Sequence, residues 1–177
     1  MGDEMTEFVL DKKLCIEAEY GQVLMDLVEK SFPAVVVEVG TGQGYSTAWL
    51  LKGLLTNKHG QLMTFDSVDR SPYAWDAEGL PTHRLRKFNC EFKDADKLLP
   101  SEIDFVFHDA GHWIEHLKED LALVLPRMDR GGIIAVHDIV YSNDMGEKLK
   151  IWFESMPEWS YREMRDGCGL GIAERVK

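Results

Sequence analysis

A run of β-branched residues early in the chain constrains its fold most strongly. Residues 34–39, Ala-Val-Val-Val-Glu-Val, are too few for a stable helix and lead directly into the glycine-rich stretch from Gly40 to Gly44. An apolar run of this length is typical of a strand that is buried on both faces of a parallel sheet. A helical pattern follows over residues 46–55, so the region predicts the first half of a strand–helix–strand unit.

The rest of the chain continues this alternation of strands and helices. Helices are predicted over residues 14–30, 46–55, 94–99, 114–125 and 146–155, and strands over 34–39, 61–66, 85–92, 103–107 and 133–136. Two further strands, 160–164 and 171–176, flank the turn at 165–167 and predict a terminal hairpin. We therefore expect one α/β domain over residues 1–177, a doubly wound, Rossmann-like sandwich. Residues 1–32 would form an N-terminal helical segment. Residues 33–177 would form the core, with a mostly parallel seven-stranded sheet that ends in an antiparallel hairpin.

Composition and charge restrict the compartment and the partners. No apolar run approaches the roughly 20 residues of a membrane span, and the acidic start MGDEMTEF does not resemble a signal peptide. The three cysteines are widely spaced, which favours a reducing compartment and predicts a cytoplasmic protein. The formal net charge of −11 disfavours binding to nucleic acid. A small-molecule ligand is the remaining expectation.

The glycines after the first strand mark a candidate ligand loop. Glycines allow a sharp turn and a close approach to a ligand, and the following helix N-terminus favours an anionic group. The spacing is G-x-G-x-G with Tyr45 in the place of a third dinucleotide-type glycine, which disfavours an NAD-dependent oxidoreductase. Many strand–helix junctions use glycines only for structure. Glu38 sharpens the signal, because a carboxylate at the end of a buried strand is costly unless it serves a purpose.

Acidic residues follow the second and third strands. Asp66 comes 24 residues after Gly42, near the position at which doubly wound folds place an acceptor for ribose hydroxyls, and Asp69 is its rival. After the third strand, Asp94-Ala95-Asp96 is placed to bind an adenine edge, or Asp94 or Asp96 simply caps a short helix.

Two histidine–aspartate pairs follow the fourth and fifth strands. His108-Asp109 and His137-Asp138 should converge on one edge of the sheet. Two aspartates suit a hard cation such as Mg²⁺, whereas an added imidazole shifts the preference toward transition metals. The alternative is that each aspartate caps the loop or helix that follows it.

Together these segments resemble the class I S-adenosylmethionine (SAM)-dependent methyltransferases. The likeness runs from about Ala18 to Val176 and is strongest to O-methyltransferases of the catechol type and to the related sugar and macrolide O-methyltransferases. It is carried by residues 20–24, 37–46 (VEVGTGQGYS), 103–112 (IDFVFHDAGH), 125–138 and 168–173 (CGLGIA). The resemblance implies SAM as cofactor and a small-molecule acceptor. It also implies O-methylation that is assisted by Mg²⁺ or another divalent cation.

The resemblance also implies roles for individual residues. Those that would contact the cofactor are Glu38, Gly40, Thr41, Gly42, Tyr45, Ser46, Asp66, Asp94, Ala95 and Asp109. Asp109 and Asp138 would hold the metal. Beyond what the resemblance supplies, His137 is a further candidate ligand, and Asp109 and His112 are the candidate catalytic residues. His112 is the candidate base because imidazole titrates near working pH, and a purely structural His112 is the alternative.

Three departures from the catechol type matter. Ile139 follows Asp138 where those enzymes have a second oxygen ligand, so His137 or His112 would have to substitute. Their lysine base has no clear counterpart, since Ile114 follows His112-Trp113. Only some thirty residues precede the first strand. This short segment predicts either an open pocket or a cap from a second subunit of a homo-oligomer.

Two other functions compete with methyl transfer. His112-x-x-Glu115-His116 fits the H-x-x-E-H pattern of a zinc hydrolase, although Glu115 and His116 are better interpreted as the polar surface of a helix. The other is a catalytically silent relative that binds a cofactor or a metal.

Overall fold

The computed structural model describes residues 16–111, 113–140 and 144–177. Over these residues five helices and seven strands alternate along the chain. The helices are α1 (Ala18–Ser31), α2 (Tyr45–Asn57), α3 (Ala74–Ala77), α4 (Ile114–Val124) and α5 (Met145–Glu154). The strands are β1 (Val35–Val39), β2 (Gln61–Asp66), β3 (Leu85–Asn89), β4 (Phe105–His108), β5 (Ile133–His137), β6 (Trp159–Met164) and β7 (Leu170–Arg175). No helix in the described part of the chain is long and apolar enough to cross a membrane.

The strands form one sheet in the order β3-β2-β1-β4-β5-β7-β6. Strands β1 to β5 are parallel, and β7 pairs antiparallel with both β5 and β6. The predicted doubly wound sheet with a C-terminal antiparallel hairpin is therefore confirmed. The strand order reverses between β1 and β4, which is where folds of this kind open a crevice for ligands.

The core lies in two layers, one on each face of the sheet. On one face, Val36 of β1 belongs to a cluster with Leu24 of α1 and Leu50 of α2. On the other face, Val37 belongs to a cluster with Leu117 of α4 and Leu149 of α5. Neighbouring residues of one strand thus enter opposite layers, which explains why β1 is apolar at every position except Glu38.

The segment after β2 and β3 differs from the prediction. Strand β3 ends at Asn89 rather than at residue 92, and a single 3-10 turn at Phe92–Asp94 replaces the predicted helix over 94–99. The physical reason is Phe92, whose buried ring packs edge-on against Phe65 with centroids 5.2 Å apart. This contact turns the chain inward, away from the ladder of β3.

Candidate cofactor and metal site

A cavity of about 750 Å³ opens at the carboxyl ends of the parallel strands. Its volume lies within the range of small-molecule sites. The predicted site residues on its wall are Gly40, Thr41, Gly42, Tyr45, Ser46, Asp66, Asp109, His137 and Asp138. The fold therefore brings the loop after β1 and the acids after β2, β4 and β5 into one cavity.

The glycine loop is pressed against β4 at one position and open to the cavity at another. Gly40 has a φ of +97°, and a Cβ atom added there would lie 2.3 Å from the backbone oxygen of Asp109. Gly42 has a φ of +52°, and an added Cβ would meet no described atom within 4 Å. Of these two glycines, Gly40 alone needs glycine for packing as well as for backbone conformation.

We expect Gly40→Ala to destabilise the fold far more than Gly42→Ala. Both substitutions introduce the strain of a positive φ, about 1–2 kcal/mol, but only Gly40→Ala adds a clash with backbone that cannot move aside easily. Thermal unfolding of the two variants measures the difference directly. Equal losses of stability would contradict the close approach of this loop to β4.

Glu38 lies behind the loop rather than in the cavity. Its side chain is fully buried and accepts hydrogen bonds from the hydroxyls of Ser46, Thr47 and Thr64, each at 2.6 Å. Burial raises the pKa of Glu38 to about 7, against the lowering effect of the three hydroxyls. The carboxyl group ties β1 to β2 and to the first turn of α2. It is linked to the cavity wall through Ser46, and through Thr64 to Thr41.

Because the pKa of Glu38 is raised in the folded protein, the free energy of unfolding should depend on pH. Its pKa is about 7 in the folded protein against 4.5 ordinarily, so unfolding releases a proton between these values. Its contribution to stability is therefore fully present below about pH 4.5 and lost as the pH rises through about 7. The difference corresponds to roughly 3 kcal/mol. Urea unfolding from pH 4.5 to 8 should show the wild type losing this amount relative to Glu38→Gln, whereas Glu19→Gln at an exposed site should follow the wild type. Parallel profiles for the wild type and Glu38→Gln would contradict the assignment.

Asp66 and Asp69, the two candidates for binding the ribose hydroxyls, have different surroundings in the structure. Asp66 lines the cavity, and its carboxylate accepts the backbone N–H groups of Gly42 and Val68, both at 2.9 Å. Asp69 accepts hydrogen bonds from the Tyr73 hydroxyl and from Lys87, outside the cavity wall. The Tyr73 hydroxyl, together with backbone and lysine contacts, lowers the pKa of Asp69 to about 2. Of the two acids, only Asp66 faces the cavity.

The residues after β3 that were predicted to contact adenine do not lie at the cavity. Asp94 and Ala95 do not line the cavity, and Ala95 is completely buried in the core. Because β3 ends early, residues 90–93 form the cavity wall instead. The sequence signal for this shift was weak, since the alternation of Phe88, Cys90 and Phe92 also suits a longer strand.

A histidine surrounded by three carboxylates forms the far end of the cavity. The Nδ1 atom of His137 lies 3.3 Å from Oδ1 of Asp109 and 3.3 Å from Oδ1 of Asp138. Its Nε2 atom lies 2.9 Å from Oε2 of Glu17, which precedes α1. Donor atoms of Asp109, His137 and Asp138 all lie within 4.8 Å of one another. Asp138 also has a left-handed backbone, with a φ of +60°, that L residues rarely adopt.

The charge of this cluster explains the state of His137. Burial alone would lower the pKa of His137, but the hydrogen bond to Asp109, the negative charges of Asp109 and Asp138, and the hydrogen bond to Glu17 raise it to about 9. The imidazolium ion therefore balances the surrounding carboxylates. Chemically, the cluster suits a positive charge, whether a proton on His137 or a metal cation that displaces it.

Among the other histidines, His108 has a structural role and His116 lines the cavity. His108 is buried, and its Nε2 atom lies 2.9 Å from Oδ2 of Asp120, so it joins β4 to α4. His116 lines the cavity together with Glu119 and Asp120, which corrects its interpretation as part of an ordinary helix surface, whereas Glu115 is exposed. The spacing i, i+3, i+4 could have revealed this shared face. His112 lies outside the described residues, and with it the predicted base and part of the H-x-x-E-H pattern.

The comparisons with known proteins agree with this arrangement. A family model described as a methyltransferase domain matches residues 37–139. No curated protein matches the chain. Solved structures with a similar fold include the following three, each at low identity. TomG, an O-methyltransferase of Streptomyces achromogenes involved in tomaymycin synthesis and solved with SAM, has 20% identity and a TM-score of 0.74, with 94% of this chain and 83% of that chain covered.

The other two structures were solved with S-adenosylhomocysteine (SAH) bound. An O-methyltransferase from Bacillus cereus has 20% identity and a TM-score of 0.73, with 92% of this chain and 83% of that chain covered. The methyltransferase PaMTH1 of Podospora anserina has 16% identity and a TM-score of 0.75, with 93% and 81% covered. These likenesses show the shared fold. The family match spans more than half of the chain, from within β1 to just beyond Asp138, and the chain therefore belongs to the methyltransferase domain family, as a SAM-dependent methyltransferase of class I.

Proposed function

We propose that the protein transfers the methyl group of SAM to an oxygen atom of a small-molecule acceptor, with a divalent cation held by Asp109, His137 and Asp138. The observation that carries this proposal is the single cavity that joins the glycine loop and Asp66 to the histidine–carboxylate cluster. The likeness to O-methyltransferases solved with SAM or SAH supports the same reaction.

The near end of the cavity fits the cofactor. Asp66 presents a carboxylate for the ribose hydroxyls, and Gly42 leaves open space beside it. The N-terminus of α2 favours the carboxylate of the methionine portion, with Thr41, Tyr45 and Ser46 on the wall. We assign the adenine wall to residues 90–93 in place of Asp94 and Ala95. Glu38 acts as a positioning residue, because its carboxyl group holds the start of α2 and strand β2 in place on either side of the loop.

The far end fits a divalent cation by the chemistry of its donors. Two carboxylates and one imidazole are suitable ligands for such an ion, and they lie close enough together to share it. A bound divalent cation lowers the pKa of an acceptor hydroxyl and orients its oxygen. The acceptor oxygen then bonds to the methyl carbon as the carbon–sulfur bond breaks, the hydroxyl proton is released, and SAH leaves. Asp109 lies at the junction of the two ends, and His112 remains the predicted base.

The remaining proposals concern partners and location. The net charge of −11 favours a small acceptor over nucleic acid. Cys90 and Cys168, the two cysteines in the described part of the chain, are free thiols, in keeping with a cytoplasmic protein. Ile16, just before α1, lines the cavity, and a homo-oligomer in which a second subunit covers the acceptor end stays a prediction.

The decisive experiment is equilibrium binding of SAM by calorimetry, with and without Mg²⁺, followed by assays with phenolic, sugar and macrolide acceptors. We expect SAM to bind in both conditions and at least one acceptor to gain a methyl group by mass spectrometry. A protein that binds no SAM under either condition would overturn the proposal. Binding without transfer to any acceptor would favour the catalytically silent alternative.

A further inference from the structure

We infer that His137 is a metal ligand through its Nδ1 atom, that Glu17 positions the ring for this role, and that the site therefore selects transition metals over Mg²⁺. The inference rests on the metal-assisted function proposed above. It names residues that the family resemblance alone does not supply, because the catechol type uses an oxygen ligand at the position of Ile139. Here Ile139 is an apolar residue that is buried in the core.

The distances around Nδ1 match those between two ligands of one ion. Ligand atoms about 2.1 Å from a metal, at roughly tetrahedral angles, lie about 3.4 Å apart. The Nδ1 atom of His137 lies 3.3 Å from one oxygen of Asp109 and 3.3 Å from one oxygen of Asp138. An ion between these three atoms would therefore need little movement of the ring.

The Nε2 atom of His137 has the kind of partner that metal-binding histidines usually have at their second ring nitrogen. Such a histidine donates its second ring N–H to a carboxylate, which fixes the tautomer and the ring orientation. Glu17 provides that carboxylate at 2.9 Å from Nε2, and its other oxygen accepts the backbone N–H of Cys168 at 2.9 Å. Tyr20 packs edge-on against the same imidazole with ring centroids 5.9 Å apart. The ring is thus restrained on the side away from the aspartates.

The nature of the donors determines which ions are preferred. Mg²⁺ favours oxygen ligands, whereas an imidazole nitrogen increases the affinity for Mn²⁺, Co²⁺ or Zn²⁺. Replacing the expected oxygen ligand with the nitrogen of His137 should therefore shift the site toward these ions. Glu17 would contribute without touching the ion, as a positioning residue.

The test measures metal binding in the absence of SAM and acceptor. The metal-free full-length protein is titrated with Co²⁺ and with Mg²⁺ by calorimetry, and its Mn²⁺ complex is studied by pulsed electron paramagnetic resonance. We expect Co²⁺ to bind at least about tenfold more tightly than Mg²⁺, and the spectrum to show coupling to a ligand ¹⁴N nucleus. His137→Asn, which offers an amide oxygen, should remove the nitrogen coupling and lower the Co²⁺/Mg²⁺ affinity ratio about tenfold.

Glu17 is tested against a matched variant. Glu17→Gln should weaken Co²⁺ binding about tenfold or more, since loss of an orienting carboxylate typically has that effect. Glu19→Gln makes the same charge change at an exposed position two residues further on, in the first turn of α1, and should stay within about twofold of the wild type. Glu17 is only partly buried, so this pair keeps the test decisive if His137→Asn fails to fold.

Several results would overturn the inference: no ¹⁴N coupling, an unchanged affinity ratio in folded His137→Asn, or equal effects of Glu17→Gln and Glu19→Gln. SAM binding on the same preparations separates the two proposals. Loss of the predicted metal behaviour with intact SAM binding overturns the inference and leaves cofactor binding standing. Nitrogen-coupled metal in a protein that binds no SAM overturns the methyltransferase proposal instead.

Discussion

Replacing Asp138 with alanine is expected to lower kcat/KM for methyl transfer by a factor of about 10³, while the affinity for SAM stays within about threefold of the wild type. Asp138 supplies one of three donor groups at the far end of the cavity. Metal assistance of such reactions is worth several kcal/mol, and a factor of 10³ corresponds to about 4 kcal/mol. Steady-state kinetics with a responsive acceptor and SAM calorimetry measure the two effects separately.

Asp144 offers a closely matched control for this substitution. It has a φ of +57°, against +60° for Asp138, but it is an exposed residue at the start of α5. Asp144→Ala therefore imposes the same change of side chain in the same backbone conformation, and we expect it to retain methyl transfer. Full methyl transfer by Asp138→Ala would reject the metal role of this residue.

Replacing Asp66 with alanine is expected to weaken SAM binding about 100-fold. The carboxylate of Asp66 lines the cavity and also accepts the N–H of Gly42. Losing hydrogen bonds from two ribose hydroxyls to a charged group should cost about 3 kcal/mol, which is a factor of about 100 in affinity. Calorimetry with SAM and with SAH measures the loss.

Asp69→Ala is the control, because Asp69 lies three residues further on and faces Tyr73 and Lys87 instead of the cavity. We expect this variant to bind SAM with an affinity within about threefold of the wild type. Equal losses in both variants would contradict the assignment of the ribose acid and would point to a general effect of the loop after β2.

Most of the fold could be predicted because its signals are local. The apolar runs that became β1, β2, β4 and β5 are buried on both faces, and their sequences show it directly. The end of β3 could not be predicted in this way. Phe92 continues the alternating pattern of the strand, but in the structure it turns inward to meet Phe65, 27 residues earlier in the sequence. Only the tertiary contact distinguishes the 3-10 turn from another strand residue.

The site residues also differ in whether local sequence or a tertiary contact determines their place. Gly40, Asp66, Asp109 and Asp138 could be predicted because each directly follows or ends a parallel strand, and the carboxyl ends of such strands meet. Glu17 was missed because it reaches His137 across 120 positions of sequence, and no periodic pattern encodes that contact. Glu38 was predicted at the site, but a sequence cannot show that three hydroxyls enclose its carboxylate.

The position of β7 has a consequence for the growing chain on the ribosome. This strand follows all the others in sequence, yet it pairs between β5 and β6, and the backbone of Cys168 just before it holds Glu17. Until residues 168–175 have been synthesised, the edge of β5 has no partner on that side, and Glu17 lacks one of its anchors. The parallel part of the sheet can form before these residues emerge, whereas the far end of the cavity is complete only after residues 168–175 have been synthesised.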